Sequence, residues 1–325
     1  MNKEDSILIR DFRKSDLNDL LDLLPRCFAK EFEITGFDPD HMKDMVNRAF
    51  GRMGRLFLGS AQLLGKEPVR FLVADAKNRV VGTTIVNRDR KVGYIAAVMV
   101  HPDYRNRGIA TTLVKNAVEY VQKRKMDRAI LDVVSTNAPA ITVYSKLGFV
   151  EFERVVHMVG EASSLSAQVG TGVQTRLFQK KDIDEVYNLI GASDEREHFR
   201  VYNFSKRHLK TPFWVGMFHF ATQKRIVAVR DGKIVGYVPV TYTTPKEAGG
   251  IGFMRVNREG GLSGIDIALL NAAFDEIRKG GVRRIHVAVP AARQELIETA
   301  KSLGFREAMT IIGMYQETSD RQAPA

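Results

Sequence analysis

The second half of this 325-residue chain repeats the first half at a nearly constant spacing. The segment 10–17 recurs 166 residues later as 176–183, with Arg and Asp at the same places. Later segments recur 154 to 156 residues apart. A register kept over so many segments predicts a tandem fold, in which each copy builds one domain. The repeated glycine-bearing pairs are Gly82 and Gly236, Gly108 and Gly264, and Gly148 and Gly304.

The first copy contains an apolar strand, a basic loop and an amphipathic helix in direct succession. The strand covers residues 94–100, and the loop Arg105–Ala110 carries two arginines and Gly108. The first N–H groups of a helix have no partner within it, and the helix dipole adds positive charge there. The segment therefore predicts an anion site suited to a pyrophosphate. Apolar residues at helical spacing mark the buried face of the helix: Ile109, Leu113, Val114, Ala117, Val118 and Val121.

Neither the dinucleotide fingerprint G-x-G-x-x-G nor the phosphate loop G-x-x-x-x-G-K-[ST] accounts for this site. Residues 105–110 read R-x-x-G-x-A, and residues 137–149 read N-x-x-A-x-x-V-Y-x-K-x-G-F. In this order and spacing, the two segments resemble the acetyl-coenzyme A loop and a following helix of the GNAT N-acetyltransferase superfamily. The resemblance covers roughly residues 7 to 159.

The resemblance implies an α/β fold made of two tandem GNAT-like domains. Each domain would be a mixed, mostly antiparallel sheet flanked by helices. We expect an acetyl-CoA-binding domain at residues 1–160, a linker at 161–174, a degenerate copy at 175–318 and a tail at 319–325.

The same resemblance implies direct transfer of an acetyl group from acetyl-CoA to an amine, with the first domain active. A backbone N–H at the end of the strand would polarise the thioester carbonyl. Tyr144 would be the general acid that protonates the leaving thiolate, because a phenol stays protonated at neutral pH. The cofactor would contact Val98, Met99, Val100, Arg105, Asn106, Arg107, Gly108, Ile109, Ala110, Thr111 and Asn137.

The general base is left open by the sequence. Many members of the superfamily carry a Glu on the strand that ends here at Val100, but residues 91–100 contain no carboxylate. His101, Asp132, Glu31 and Glu33 are the side-chain alternatives, and a chain of waters is another. The missing carboxylate also motivates a second hypothesis, a non-catalytic acyl-CoA sensor or scaffold protein.

The second copy differs from the first where acetyl-CoA would bind. Ala110 is replaced by Asp266, whose carboxylate would repel a phosphate. Two unit charges ~5 Å apart at an effective dielectric constant of ~20 cost roughly 3 kcal/mol. We therefore expect the second copy to bind no coenzyme A and to serve as a structural wall, with a separate ligand site in this copy as the alternative. The other replacements are Arg105 by Gly261, Arg107 by Ser263, Asn137 by Arg293 and Tyr144 by Ala300.

Composition restricts the remaining function classes. Cys27 is the single cysteine, so no disulfide forms within the chain, and we expect a cytoplasmic protein. The net charge of +11 is spread along the chain and accompanies no nucleic-acid-reading motif. No metal-ligand spacing and no membrane segment are found in the sequence. The expected partner is a small-molecule or peptide amine, and a homodimer is compatible with the sequence.

Overall fold

A computed structural model of the chain describes residues 7–35, 69–163, 172–192, 196–210, 221–243, 248–256 and 264–318, together with residues 40 and 43. The expected tail at 319–325, most of the expected linker, Gly261 and Ser263 lie outside this part.

In the first copy, the strand predicted before the basic loop and the helix predicted after it are both present. Helix α1 is kinked at Phe28, three residues after Pro25. The elements are β1 (Ile7–Asp11), α1 (Leu17–Thr35), β2 (Val69–Ala76), β3 (Arg79–Asp89), β4 (Val92–Val100), α2 (Ile109–Lys123), β5 (Arg128–Val134), α3 (Ala138–Lys146) and β6 (Val150–Glu161).

The second copy repeats this order, but its counterpart of β4 is divided into two short strands. The elements are β7 (Gln174–Leu177), α4 (Ile183–Gly191), α5 (Arg196–Val201), β8 (Ala221–Arg230), β9 (Lys233–Thr243), β10 (Ala248–Ile251), β11 (Arg255–Val256), α6 (Ile265–Lys279), β12 (Arg284–Pro290), α7 (Gln294–Ser302) and β13 (Arg306–Glu317).

The chain forms two compact units whose limits differ from the ends of the sequence repeats. The first unit contains residues 1–33, 37–152 and 312–325, and the second contains residues 34–36 and 153–311. The boundaries therefore fall inside β6 and inside β13. The two copies exchange their last strands: β13 lies beside β5 in the first unit, and β6 lies beside β12 in the second.

Each unit contains a mixed sheet flanked by helices, which confirms the predicted fold class. In the first unit the strand order is β1-β2-β3-β4-β5-β13, with β4 and β5 parallel and the strands from β1 to β4 antiparallel. In the second unit the order is β6-β12-β10-β9-β8-β7, with β10 and β12 parallel and β11 paired with β9.

The duplication is visible in individual contacts. Arg10 donates to Asp16 at 2.7 Å, and Arg176 donates to Asp182 at 2.6 Å. Burial alone would raise the pKa of Asp16, but the hydrogen bonds from Arg10 and from the Arg13 backbone lower it. Hydrogen bonding to Arg176 lowers the pKa of Asp182 in the same way. The two copies therefore begin with the same arginine–aspartate ion pair.

The helix that begins after the left-handed glycine, α2 in the first copy and α6 in the second, packs closely on the sheet. A Cβ at Gly82 would lie 3.3 Å from side-chain carbons of Ile109 and Leu113. In the second copy, a Cβ at Gly236 would lie 2.9 Å from Ile265 and 2.8 Å from Leu269. Glycine at this position of the strand lets the helix approach, which fixes where the helix begins relative to the sheet.

Candidate functional site

The first unit contains a wedge between two parallel strands. The ladder of β4 and β5 runs from Val92 opposite Arg128 to Ile95 opposite Leu131. Both strands continue past its end, β4 to Val100 and β5 to Val134. We call the space bordered by Ala96–Val100 and Asp132–Val134 the first wedge. Along this space, the facing backbone N–H and C=O groups of the two strands do not pair with each other. An extended ligand can therefore enter as an additional strand.

Backbone donors of β4 point into the first wedge. A bulge interrupts the pairing of β3 with β4, and Ala97 adopts a φ of 51° there. Beyond the bulge, the N–H of His101 donates to Val81 of β3 at 2.8 Å. Because N–H groups alternate along a strand, those of Val98 and Val100 point away from β3 and toward the wedge. The N–H of Met99 points toward β3, and the Met99 side chain is buried.

The basic loop lies between β4 and α2 and has the backbone geometry of an anion site. Asn106 and Gly108 both adopt positive φ, 62° and 75°. A turn of this kind directs successive N–H groups to one concave side. The Arg105 Nε donates to the carbonyl of Val100 at 3.3 Å, and the Arg107 guanidinium lies 5.0 Å from the ring centroid of Tyr104. Both arginine side chains are exposed and carry full charges beside these amides.

Helix α2 begins at this loop without an acidic residue in its first turn. Gly108 is the N-cap residue and supplies no capping side chain, so the first N–H groups of the helix remain for a ligand. A Cβ at Gly108 would meet nothing within 4 Å. Ile109 is buried against the sheet, while Ala110 and Thr111 are half-buried. The predicted residues 105–111 therefore lie together at one helix start, adjacent to the wedge.

Asn137 and Tyr144 lie at the two ends of α3. Asn137 is exposed and caps the helix, accepting a hydrogen bond from the N–H of Ala140 at 3.3 Å. Tyr144 is 6% exposed and packs against Phe149 in the core cluster that also includes Val98 and Val100. Burial raises the pKa of Tyr144 to about 12. The phenol therefore stays protonated throughout the neutral range.

The structure also positions the alternatives for the general base. His101 is buried, and its Nδ1 accepts the N–H of Asp103 at 3.3 Å, which indicates a structural capping role. Asp132 is exposed at the beginning of the first wedge and accepts a hydrogen bond from the hydroxyl of Tyr94 at 2.6 Å. Tyr94 was not among the residues singled out from the sequence. The side chains of Glu31 and Glu33 lie outside the described part.

Cys27 is closer to the wedge than its position in the sequence suggests. Its Sγ lies on α1 and donates to the carbonyl of Val100 at 3.5 Å. Helix α1 packs leucines 20, 23 and 24 against Met99. The face of β4 that carries Met99 is therefore opposite to the face covered by α2. Helix α1 covers the Val100 end of that face.

The second unit has a counterpart of the wedge, but an arginine crosses it. The ladder of β10 and β12 ends at Ile251 opposite Val287, the positions equivalent to Ile95 and Leu131. Beyond it, the Arg293 guanidinium donates to the carbonyl of Met254 at 3.3 Å and to the carboxylate of Asp266 at 3.0 Å. The Arg293 and Asp266 residues are 8% and 7% exposed.

This ion pair changes the physical reason for expecting the second copy not to bind coenzyme A. The sequence indicated that the carboxylate of Asp266 would repel a phosphate. In the structure that charge is paired with Arg293, so net repulsion is not the main effect. Instead, the arginine side chain lies between the strand and the helix start, where the first copy has Asn137 capping its own helix.

The described residues contain neither a metal-ligand cluster nor a helix that could span a membrane. Within them, no group of three or more His, Cys, Asp or Glu side chains is arranged to hold a metal ion. No helix in the same part of the chain has the length and apolar character needed to cross a bilayer.

Comparison with solved structures shows that other proteins have the same fold. A tandem GNAT protein from the clavulanic acid biosynthesis pathway matches with a TM-score of 0.65 and 18% identity, covering 98% of this chain and 100% of that one. A GCN5-related N-acetyltransferase from Sphaerobacter thermophilus matches with a TM-score of 0.62 and 19% identity, covering 96% of each chain.

Sequence relatives and the family profile agree with this fold. An uncharacterized N-acetyltransferase of Methanocaldococcus jannaschii is 30% identical over 45% of this chain and 62% of its own length. A mycothiol acetyltransferase of Tsukamurella paurometabola is 28% identical over 47% of this chain and 51% of its own length. The aligned regions thus span about half to three fifths of these relatives. The profile of the acetyltransferase (GNAT) family matches twice, at residues 17–149 and 185–305. The chain therefore belongs to the acetyltransferase (GNAT) family.

Proposed function

We propose that this chain is an N-acetyltransferase that binds acetyl-CoA in the first wedge and transfers the acetyl group directly to an amine. The observation that carries the proposal is the coincidence of three features at one place: parted strands, a basic loop of left-handed residues and an uncapped helix start. Each can be explained by itself, but together they match a long ligand with a diphosphate at one end.

The diphosphate would lie at the start of α2. The amides after Gly108 and the charges of Arg105 and Arg107 provide donors and a favourable potential there. Asn106 and Gly108 keep the loop backbone in the conformation that directs its amides to the ligand. The exposed carboxamide of Asn137, at the start of α3, is available to contact the pantetheine arm.

The arm of the cofactor would extend along β4 as an added strand. The N–H groups of Val98 and Val100 point into the wedge and would donate to carbonyl oxygens of the pantetheine arm. Val98 is nearer to the closed end, where the acetyl group would arrive, so we assign it the thioester oxygen. A preorganised N–H aimed at a developing oxyanion is worth about 3 kcal/mol of barrier.

Tyr144 is the proposed acid for the departing sulfur. As the tetrahedral intermediate collapses, the C–S bond breaks and the thiolate takes the phenolic proton. The phenolate then recovers a proton from solvent. A pKa of about 12 in the absence of ligand keeps the proton available at every physiological pH. The second copy has Ala300 at this position and lacks the group.

The acceptor is proposed to be a primary amine, carried by a small molecule or a peptide. The test is release of the coenzyme A thiol, measured with acetyl-CoA and a panel of amines, amino acids and peptide N-termini. We expect turnover that saturates in both substrates and yields the acetylated amine by mass spectrometry. Tight acetyl-CoA binding without turnover by any amine would contradict the proposal and favour the acyl-CoA sensor.

A further inference from the structure

We propose that Asp132, oriented by Tyr94, is the base that removes a proton from the acceptor ammonium. This assignment rests on the proposed acetyl transfer in the first unit and adds the group that the sequence left undetermined. The two residues lie on neighbouring parallel strands, and the Tyr94 hydroxyl donates to Oδ2 of Asp132 at 2.6 Å.

The pair lies at the closed end of the first wedge. The last paired residues are Ile95 and Leu131, so Asp132 is the first residue of β5 beyond the ladder. Extending the register would place it opposite Ala96, two residues before Val98. Two residues of a strand span at most about 7 Å, and the bulge at Ala97 shortens this distance. A carboxylate side chain and an amine, with at most one water between them, can bridge such a distance to the thioester carbon.

The pair also lies on the face of the sheet that the helix α2 leaves to the acceptor. A Cβ at Gly93 would collide with Val121 of α2 at 2.4 Å, and Leu131 belongs to the core beneath α2. Because side chains alternate along a strand, Tyr94 and Asp132 point to the opposite face. The acceptor amine would thus approach the thioester from the face of the sheet opposite α2, and direct attack on the acetyl carbon follows.

The charge and hydrogen-bonding capacity of Asp132 suit an ammonium substrate. A carboxylate offers about four lone-pair positions and can accept hydrogen bonds from more than one donor. The phenolic O–H to carboxylate bond is charge-assisted and short, which fixes the orientation of the carboxylate. Tyr94 acts through Asp132 and is a positioning residue, whereas Asp132 would contact the substrate.

The proton balance is complete without another reactant. Asp132 takes one proton from the ammonium, and the neutral amine forms a C–N bond with the acetyl carbon. The intermediate nitrogen loses its second proton to water, and the C–S bond breaks as Tyr144 protonates the sulfur. Asp132 releases its proton to solvent, so the overall reaction yields an amide, a free thiol and one proton.

The test compares two amines of similar shape, ethylamine and 2,2,2-trifluoroethylamine. Only ethylamine is largely protonated at neutral pH and needs a base. We expect Asp132→Asn to lower kcat/KM for ethylamine by about 10²-fold to 10³-fold and to change the value for trifluoroethylamine by less than about 3-fold. Tyr94→Phe should lower the ethylamine value by roughly 10-fold, because the carboxylate stays but loses its orientation.

Asp127→Asn is the matched control, since Asp127 precedes the same strand and pairs with Lys91 at 3.4 Å. It should leave both amines within about 2-fold of the wild-type value. The pH profile gives a second readout: with Asp132→Asn, kcat/KM for ethylamine should rise with pH as the free amine accumulates. Calorimetry should show unchanged acetyl-CoA affinity in all three variants.

An equal loss for both amines would overturn the base assignment and indicate a structural role for Asp132. Full activity of Asp132→Asn with ethylamine would overturn it as well. Failure of the proposed function gives a different result: the wild-type protein would transfer acetyl groups to neither these amines nor any amine of the panel.

Discussion

The two wedges of this protein have the same backbone plan but different contents. In each unit, a parallel ladder ends at equivalent residues and a helix begins at a left-handed glycine, Gly108 or Gly264. In the first unit, the residues around the wedge present N–H groups and arginines. In the second, a buried arginine ties Met254 to Asp266 across the same place. A duplicated fold can thus keep its architecture while one copy fills, with its own side chain, the place that the other copy lines with donors.

The largest expected effect concerns the exchanged strand β13. Its residues Ile312 and Met314 are 3% exposed in the core of the first unit, and Thr318 donates to the backbone at Met126 and Asp127. We predict that a chain ending at residue 305 loses acetyl-CoA binding, although every predicted binding residue is present. Hydrogen exchange of the α2 amides should show loss of protection.

A chain ending at residue 318 is the control for this truncation. It removes only residues that follow the last described contact, so acetyl-CoA binding and α2 protection should be unchanged. If the chain ending at residue 305 binds acetyl-CoA normally, β13 is not required by the first unit.

The second prediction compares Gly108→Glu with Gly264→Glu. A glutamate at residue 108 adds negative charge and bulk where the diphosphate would lie. At ~5 Å and an effective dielectric constant of ~20, the repulsion costs roughly 3 kcal/mol, or more than a hundredfold in affinity. Both glycines have positive φ, so the backbone strain is matched. Calorimetry with acetyl-CoA should show loss of affinity for Gly108→Glu alone; loss for Gly264→Glu alone would reverse the assignment.

The third prediction compares Arg293 with its counterpart Asn137. Arg293→Met should destabilise the second unit by about 3–5 kcal/mol, because it leaves the Asp266 carboxylate buried without its arginine. Asn137→Ala should cost only about 1 kcal/mol of stability, the value of a helix cap. Hydrogen exchange of amides in α6 and α3 measures the two effects separately.

The double variant Arg293→Met, Asp266→Leu provides the control for the ion pair. Replacing both charges by apolar groups should recover most of the lost stability. If Arg293→Met alone is as stable as the wild type, the arginine does not hold the second wedge together.

The fourth prediction concerns the variant Tyr144→Phe. The variant should turn over about 10²-fold more slowly, with acetyl-CoA affinity nearly unchanged. Because burial raises the pKa of Tyr144 above its usual value, the acid form is kept as pH rises through neutrality and is lost only on approaching about 12. We therefore expect no loss of rate from ionisation of the phenol below pH 10. A full rate in the variant would refute the acid role.

Local features of the fold could be predicted from the sequence because they depend on short-range patterns. The apolar face of α2 is buried as its spacing indicates, and the glycines at 108 and 264 are left-handed N-caps. The alignment of the two copies could also be predicted from the sequence. The equivalent ion pairs Arg10–Asp16 and Arg176–Asp182 agree with it.

Long-range pairing could not be predicted in the same way. The sequences of β6 and β13 do not specify which neighbouring strand each one joins. Likewise, Asp266 and Arg293 are distant in sequence, and each replacement suggests a separate effect until their contact is seen. The Tyr94–Asp132 pair depends on the register of β4 with β5, which no local motif encodes.

The most direct test of the central claim is a crystal structure of the protein with coenzyme A. We expect density for the diphosphate at the amides after Gly108 and for the pantetheine arm beside Val98 and Val100. We also expect Arg293 still to contact Asp266 in the second wedge. Density for coenzyme A at the helix start after Gly264, with none at the first wedge, would assign cofactor binding to the second copy instead.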